Sequence, residues 1–163
     1  MINETLLSKQ YRVRKLTADD ADRIYLLCSG NPLFYEYHPP FVTYDSILED
    51  LSALPPNKTM DDKYYVGFFS GETLVAIMDL VIGYPKEDIA FIGFFMTDEA
   101  VQSKGIGSGI ISDCIAYLKK CAITKVRLAV DKGNPQSFHF WTKNLFLTDE
   151  SYEGAYIVME RTL

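Results

Sequence analysis

Apolar positions follow several distinct rhythms along the chain. Tyr11-Arg12-Val13-Arg14-Lys15-Leu16 alternates with the two-residue period of a first strand. Thr17-Ala18-Asp19-Asp20 then has the form of a helix N-cap with acidic residues in its first turn. Ala21, Ile24, Tyr25 and Cys28 follow at helical spacing, and Gly30-Asn31-Pro32 ends that helix. A second helix is predicted from about Thr43 through Ile47, Leu48, Leu51 and Leu54, with Pro55-Pro56 as its stop. Lys63 to Phe69, the turn Ser70-Gly71-Glu72 and Thr73 to Ile82 read as a β-hairpin, and residues 83–88 turn the chain into a third run, Ile89 to Thr97. These runs are apolar on both faces, which implies a sheet covered by helices on both sides. Gly93, in the middle of the third run, marks a bulge or a close backbone approach.

Further on, Ile110, Ile111, Cys114, Ile115, Leu118 and Ala122 form an apolar helical stripe, with Asp113, Lys119 and Lys120 facing outward. Lys125 to Val130 is the next strand. Asn134 before Pro135 starts a helix carrying Phe138, Trp141 and Leu145, and Tyr152 to Arg161 supplies closing strand. Neither repeat nor linker interrupts the pattern, so residues 1–163 are expected to form a single domain. One stretch breaks the rhythm. Leu33-Phe34-Tyr35-Glu36-Tyr37-His38-Pro39-Pro40-Phe41 is aromatic, carries a carboxylate and an imidazole, and has little room for regular structure. It reads either as a wall or lid over a pocket or as a loop packed onto the core.

Composition narrows the function by exclusion. A net charge of −6 argues against general nucleic-acid binding and against attraction to anionic membranes. No run approaches the roughly 18 apolar residues of a membrane span, and Met1-Ile2-Asn3-Glu4 is not a secretory signal. Cys28, Cys114 and Cys121 are an odd count without a C-x-x-C pair. The last two would lie two turns apart on one helix, about 10 Å, too far for a bridge. Reduced thiols in a cytoplasmic protein are the expectation. His38 and His139 have no clustered partners, so no metal site is expected.

Candidate chemistry concentrates at Gln102-Ser103-Lys104-Gly105-Ile106-Gly107-Ser108-Gly109, between an apolar strand and an apolar helix. Such a turn presents bare N–H groups at the positive end of a helix, a site for phosphate or pyrophosphate. A P-loop requires Lys and then Ser or Thr after its last glycine, and here Ile110-Ile111 follow. A dinucleotide fingerprint requires G-x-G-x-x-G at the first strand–helix turn, and this G-x-G-x-G lies about two-thirds of the way along. What remains, Gln-x-x-Gly-x-Gly, resembles the acyl-coenzyme A loop of the Gcn5-related N-acetyltransferase (GNAT) superfamily. A second stretch strengthens the resemblance. Asn134, Phe140, Lys143 and Phe146 match the superfamily's Asn-x-x-Ala-x-x-Phe-Tyr-x-Lys-x-Gly-Phe pattern, with Ser137 a near match, Trp141 in place of Tyr and Leu145 in place of Gly.

The resemblance covers about Tyr11 to Arg161 and implies an α/β (α+β) GNAT fold. Its central sheet would be mixed but mostly antiparallel, with helices on both faces and one splayed strand pair. It implies acetyl-CoA as co-substrate, gripped by the amides of Gln102, Ser103, Lys104, Gly105, Ile106, Gly107 and Ser108, with backbone groups near Phe95 and Thr97 pairing with the pantetheine and Asn134 nearby. A solvated Lys104 and a purely capping Asn134 are the plain alternatives. The implied reaction is direct attack of a neutral primary amine, of a small molecule or peptide, on the thioester in a ternary complex. Candidate bases are Asp79, alone in an apolar run, and Glu36; Tyr35, Glu36, Tyr37, Tyr65 and Asp79 are candidate substrate contacts. The bland alternatives are a hydrogen-bonded strand-end carboxylate for Asp79 and core or surface packing for the tyrosines. Trp141 cannot act as the acid that a Tyr there would be. A thiol of pKa about 8.5 nevertheless leaves as thiolate at neutral pH for a penalty of only about 2 kcal/mol. A protein N-acetyltransferase and a non-catalytic acyl-CoA sensor are the alternative readings, and the chain is expected to be a monomer or homodimer.

Overall fold

The computed structural model describes all 163 residues. Seven strands, β1 (Arg12–Lys15), β2 (Lys63–Ser70), β3 (Thr73–Ile82), β4 (Ile89–Thr97), β5 (Lys125–Asp131), β6 (Leu147–Thr148) and β7 (Tyr156–Thr162), form one sheet. Their order across it is β1-β2-β3-β4-β5-β7-β6. Every neighbouring pair is antiparallel except β4–β5. This is the mixed, mostly antiparallel α/β arrangement that the sequence resemblance implies.

The continuous apolar character of β2 to β4 has the cause its pattern suggests, because each face carries its own core. On one side Tyr64, Val66, Phe68, Met78 and Leu80 pack with Ile110, Ile111, Cys114 and Leu118 of α4 (Ile106–Lys120) and with Trp141 of α5 (Pro135–Lys143). On the other, Tyr65, Phe69, Ile77 and Met96 pack with Ile24, Leu27 and Cys28 of α1 (Ala21–Ser29) and Ile47 of α3 (Tyr44–Ser52). Thr43 caps α3 through a reciprocal pair of bonds with Ser46. No helix is long and apolar enough to cross a membrane.

Two local features add to the sequence reading. The aromatic stretch is not wholly irregular, since Pro32–Tyr37 forms a short helix, α2, whose missing Pro32 amide falls where helices have no partner for it. The other concerns Leu145, which stands in place of the pattern's glycine and itself takes the left-handed conformation, at φ 67. The residue is 65% exposed, so it gains little packing in return for a conformation that disfavours a Cβ. Leu145→Gly is therefore expected to stabilise the fold by up to about 1 kcal/mol, read as a Tm rise of about 2–4 °C in a thermal melt.

Candidate functional site

The site begins with a break in the sheet. β4 pairs with β5 only where Ile89–Ile92 lie opposite Lys125–Leu128. Past that point β4 stays with β3 as far as Thr97, while β5 stays with β7 as far as Asp131. The register between β3 and β4 shifts between Asp79 and Leu80, with Gly93 as the unmatched residue. This bulge reverses the facing of the rest of β4: Phe95 joins the α4–α5 side, and Phe94 and Met96 join the side of α1 to α3. A Cβ on Gly93 would stand 3.1 Å from Asp79 Oδ2, so close approach accompanies the bulge.

Three cavities meet around the split. One of about 230 Å³ lies between the diverging strands, walled by Gly93 to Phe95, Leu128 to Asp131 and Trp141. A cleft of about 280 Å³ continues from it across the 102–108 loop and α5. A third, of about 220 Å³, opens beneath α1 to α3 and is walled by Tyr35, Asp50, Tyr65 and Asp79. Phe34, from α2, lines all three.

In the loop, α4 starts at Ile106, four residues before the apolar stripe, so Gly107, Ser108 and Gly109 form its first turn. Left-handed residues at Ser103 (φ 60) and Gly105 (φ 77) bend the chain into a nest of consecutive amides. No backbone carbonyl accepts from the N–H groups of residues 103–108. A Cβ on Gly105 would meet nothing within 4 Å, whereas one on Gly107 would stand 3.2 Å from the Phe140 ring. Gly105 thus serves the turn, and Gly107 the packing of α4 against α5. Ser103, Ile106 and Ser108 also line the cleft, and the Ser108 hydroxyl accepts from Asn144 Nδ2 at 3.1 Å. Asn144 was not anticipated.

Other loop residues serve the frame. Gln102 Nε2 donates to Asn31 Oδ1 and, at 3.1 Å, to the Thr97 carbonyl, which also accepts from Asn31 Nδ2 at 3.1 Å. The Thr97 carbonyl is therefore already satisfied twice. Phe95, two residues back and facing the same side, leaves its backbone groups on the open edge. Lys104 Nζ donates to the Ala100 carbonyl at 2.8 Å, and Asn134 caps α5 through Ser137 at 3.1 Å; neither lines the cleft. Gln136, His139 and Lys143 of α5 do line it, unanticipated as a group.

The third cavity holds the strongest electrostatics. Lys63 Nζ donates to both carboxylate oxygens of Asp79 at 2.8 Å, and the lysine side chain is 1% exposed. Burial raises the Asp79 carboxyl above the ordinary range, against the pull of the Lys63 hydrogen bond and charge. Burial likewise pushes the Cys28 thiol up to about 11 and the Tyr35 and Tyr65 phenols higher still, so these walls stay neutral near pH 7. His38 Nδ1 sits 3.0 Å from both Asp131 oxygens, tying the end of α2 to β5 across the split. Tyr35, Tyr65 and Asp79 are thus brought together; Glu36, which is exposed, and Tyr37 line none of the three cavities. Lys63, Asp50 and the His38–Asp131 pair escaped sequence reasoning. Counting back from the Ser70–Thr73 turn with one bulge allowed would have set Tyr65 opposite Asp79 and so brought Lys63 within reach.

Trp141 is buried with its ring 5.1 Å from Phe146, 4.9 Å from Phe140 and 5.9 Å from Phe95, and it faces both the split and the loop cleft. It is a packing residue on the wall between them.

Comparison with known proteins agrees with this geometry. Residues 22–145 match the Acetyltransferase (GNAT) family. A spermidine N(1)-acetyltransferase of Thermoplasma acidophilum is 27% identical over 100 residues, 61% of this chain and 60% of that protein. The match thus spans less than two-thirds of that relative's length. Among solved structures, an acetyltransferase from Thermus thermophilus superposes with a TM-score of 0.79 at 19% identity, covering 94% of this chain and 97% of that one. The PaiA N-acetyltransferase of Thermoplasma acidophilum, in complex with coenzyme A, gives 0.71 at 20% identity, covering 93% and 98%. At these identities the superpositions speak for the fold.

Breaking the Lys63–Asp79 pair on one side leaves a largely buried charge without its partner. Lys63→Met is expected to cost roughly 3 kcal/mol or more in denaturant unfolding, and adding Asp79→Leu should recover most of it.

Proposed function

The chain belongs to the acetyltransferase (GNAT) family, and from that premise we propose that it transfers the acetyl group of acetyl-CoA to a primary amine of a small molecule. One observation carries the reading: an amide cradle without internal acceptors leads into an open strand edge, and that edge leads into a cavity beneath α1 to α3 that can take the acceptor. The residues present fit the donor. Bare N–H groups at a helix start suit a pyrophosphate, and Lys143 and His139 beside them supply the side chains that favour an anion. The free backbone groups of Phe95 suit the amides of a pantetheine arm, as an added strand would. When bound, acetyl-CoA supplies an activated acyl group with a thiol that departs readily.

The chain's own contribution is position and proton management. Asp79 is the carboxylate at the junction of split and cavity, and it accepts the proton that the attacking amine sheds, directly or through water. Lys63 fixes its orientation. Glu36 is set aside because it faces solvent. Trp141 excludes water from the wall but supplies no acid, and the low basicity of a thiolate makes that tolerable. The small volume and the aromatic and proline walls of the acceptor cavity favour a small amine over a protein segment, as does the relative that acetylates spermidine.

Thiol release from acetyl-CoA across a panel of small amines tests the reading; binding without release on any of them would overturn it. Gly107→Val, which crowds both Phe140 and the cradle, is expected to weaken coenzyme A at least tenfold by calorimetry while far-UV circular dichroism stays native. Unchanged affinity would contradict the loop assignment. For Asp79 the sign is fixed by its raised carboxyl pKa: the base works only when ionised, so wild-type kcat falls as pH drops, through a limb above the ordinary value of about 3.9. Asp79→Asn should lose most activity above that limb, and its pH–rate profile should lack the limb altogether.

A further inference from the structure

We propose that Phe34 limits the length of the acyl group this chain transfers, its ring closing the boundary between the split and the third cavity to chains of butyryl length or more. The inference rests on the acetyl-transfer reading of this site and adds to it the residue that selects the donor.

In that reading the thioester lies in the split and the amine comes from beneath α1 to α3. The acyl carbon under attack then has to stand where the two spaces meet. Phe34, His38, Gly93 and Phe94 are the residues that line both. Gly93 brings no side chain to that boundary, and the other three bring rings. Phe34 and Phe94 meet edge to face with centroids 5.7 Å apart, and the His38 ring lies 5.4 Å from that of Phe34. Phe34 also lines the loop cleft, so one side chain stands where all three spaces converge.

A ring selects by size only if it cannot step aside, and the helix that carries this one is held at both ends. At its start, Asn31 Nδ2 donates at 3.1 Å to the carbonyl of Thr97, where β4 ends. Past its last residue, His38 Nδ1 lies 3.0 Å from both oxygens of Asp131, where β5 ends. α2 is thus tied to both lips of the split, with Phe34 between the ties. The neighbouring Tyr35 packs at right angles to the Phe34 ring, 5.0 Å away. An acyl chain extended past this ring enters the third cavity, whose volume of about 220 Å³ has to take the amine as well. Chain length and acceptor therefore compete for one space, and an acetyl group leaves that space free.

The test measures thiol release from acetyl-CoA and butyryl-CoA by wild type, Phe34→Ala and Phe34→Leu, with the amine panel as acceptors. Calorimetry with the two thioesters in the absence of amine accompanies it. Wild type should favour acetyl-CoA by about tenfold or more in kcat/KM, as expected when extra methylenes meet a closed wall. Phe34→Ala should remove most of that preference by raising turnover of butyryl-CoA. Phe34→Leu, which keeps an apolar side chain to pack α2, should remove part of it and gives a reading even where the alanine variant fails to fold. Leu33→Ala, on the same helix but 43% exposed and lining none of the three cavities, should leave the preference as in wild type. Equal use of both thioesters by wild type overturns the inference and leaves the transferase reading standing. So does a preference that survives both Phe34 variants, or one that Leu33→Ala removes as well. Weaker binding of butyryl-CoA that Phe34→Ala relieves, with no thiol release on any amine, overturns the transferase reading and leaves Phe34 as the limit of an acyl-thioester site.

Discussion

The site depends on the early end of the parallel pairing between β4 and β5. Four residues of ladder join them, and then the Gly93 bulge turns the remainder of β4 away from its neighbour. A split inside a sheet is costly in an ordinary domain, because an unpaired backbone group left dry loses on the order of 1–3 kcal/mol. Here the opening persists because both lips are held from outside. β4 is paired along its far side by β3, and β5 by β7 over its whole length. α4 and α5 pack beneath, and the His38–Asp131 contact spans the top. The unpaired edge is therefore preorganised, and a ligand that brings its own amides meets donors and acceptors already in place.

The same bulge shapes the cavity on the other face of the sheet. By shifting the register at Asp79 it sets that carboxylate against the glycine at the point where the strands part, so a side chain from an interior strand reaches the cavity. A lone carboxylate there would be largely deprived of water, and Lys63, diagonal to it on β2, answers that with a bidentate contact. Buried pairs of this kind contribute little net stability, so stability alone does not explain their presence in an apolar strand pair.

How much of this could be read in advance follows from which interactions are local. The strand and helix rhythm, the two-faced sheet and the significance of Gly93 all lie in neighbouring residues, and the structure follows them closely. The glycine turn announced itself in the same way. What stayed hidden depends on register and on contacts far apart in sequence. Gln102 sits at the head of the glycine loop, yet its side chain donates to Asn31 and Thr97; nothing near it in sequence says so. Lys63 looks like any polar residue at the start of a strand until the hairpin is folded and brings it to Asp79. Asp50 occupies an ordinary solvent-facing helical position, and only the placement of α3 over the cavity makes it a wall residue. Glu36 misled for the opposite reason: its aromatic neighbours suggested a pocket, but α2 turns Phe34 and Tyr35 inward and leaves Glu36 outside.

The Gln102–Asn31–Thr97 junction also explains how two cavities built from different parts of the chain keep a fixed relation. Asn31 lies between α1 and α2, elements that roof the third cavity; Gln102 begins the loop that opens α4; Thr97 ends β4. Two side-chain amides converge on one carbonyl, so the roof, the strand end and the loop are tied at a single point. Ser103 and Gly105 hold their left-handed turns only one and three residues beyond that tie. A shift of the α1–α2 turn would therefore pull on Gln102 and so on the amide nest itself. In this chain a three-residue hydrogen-bond cluster, rather than either cavity, fixes the roof of the one relative to the loop beside the other.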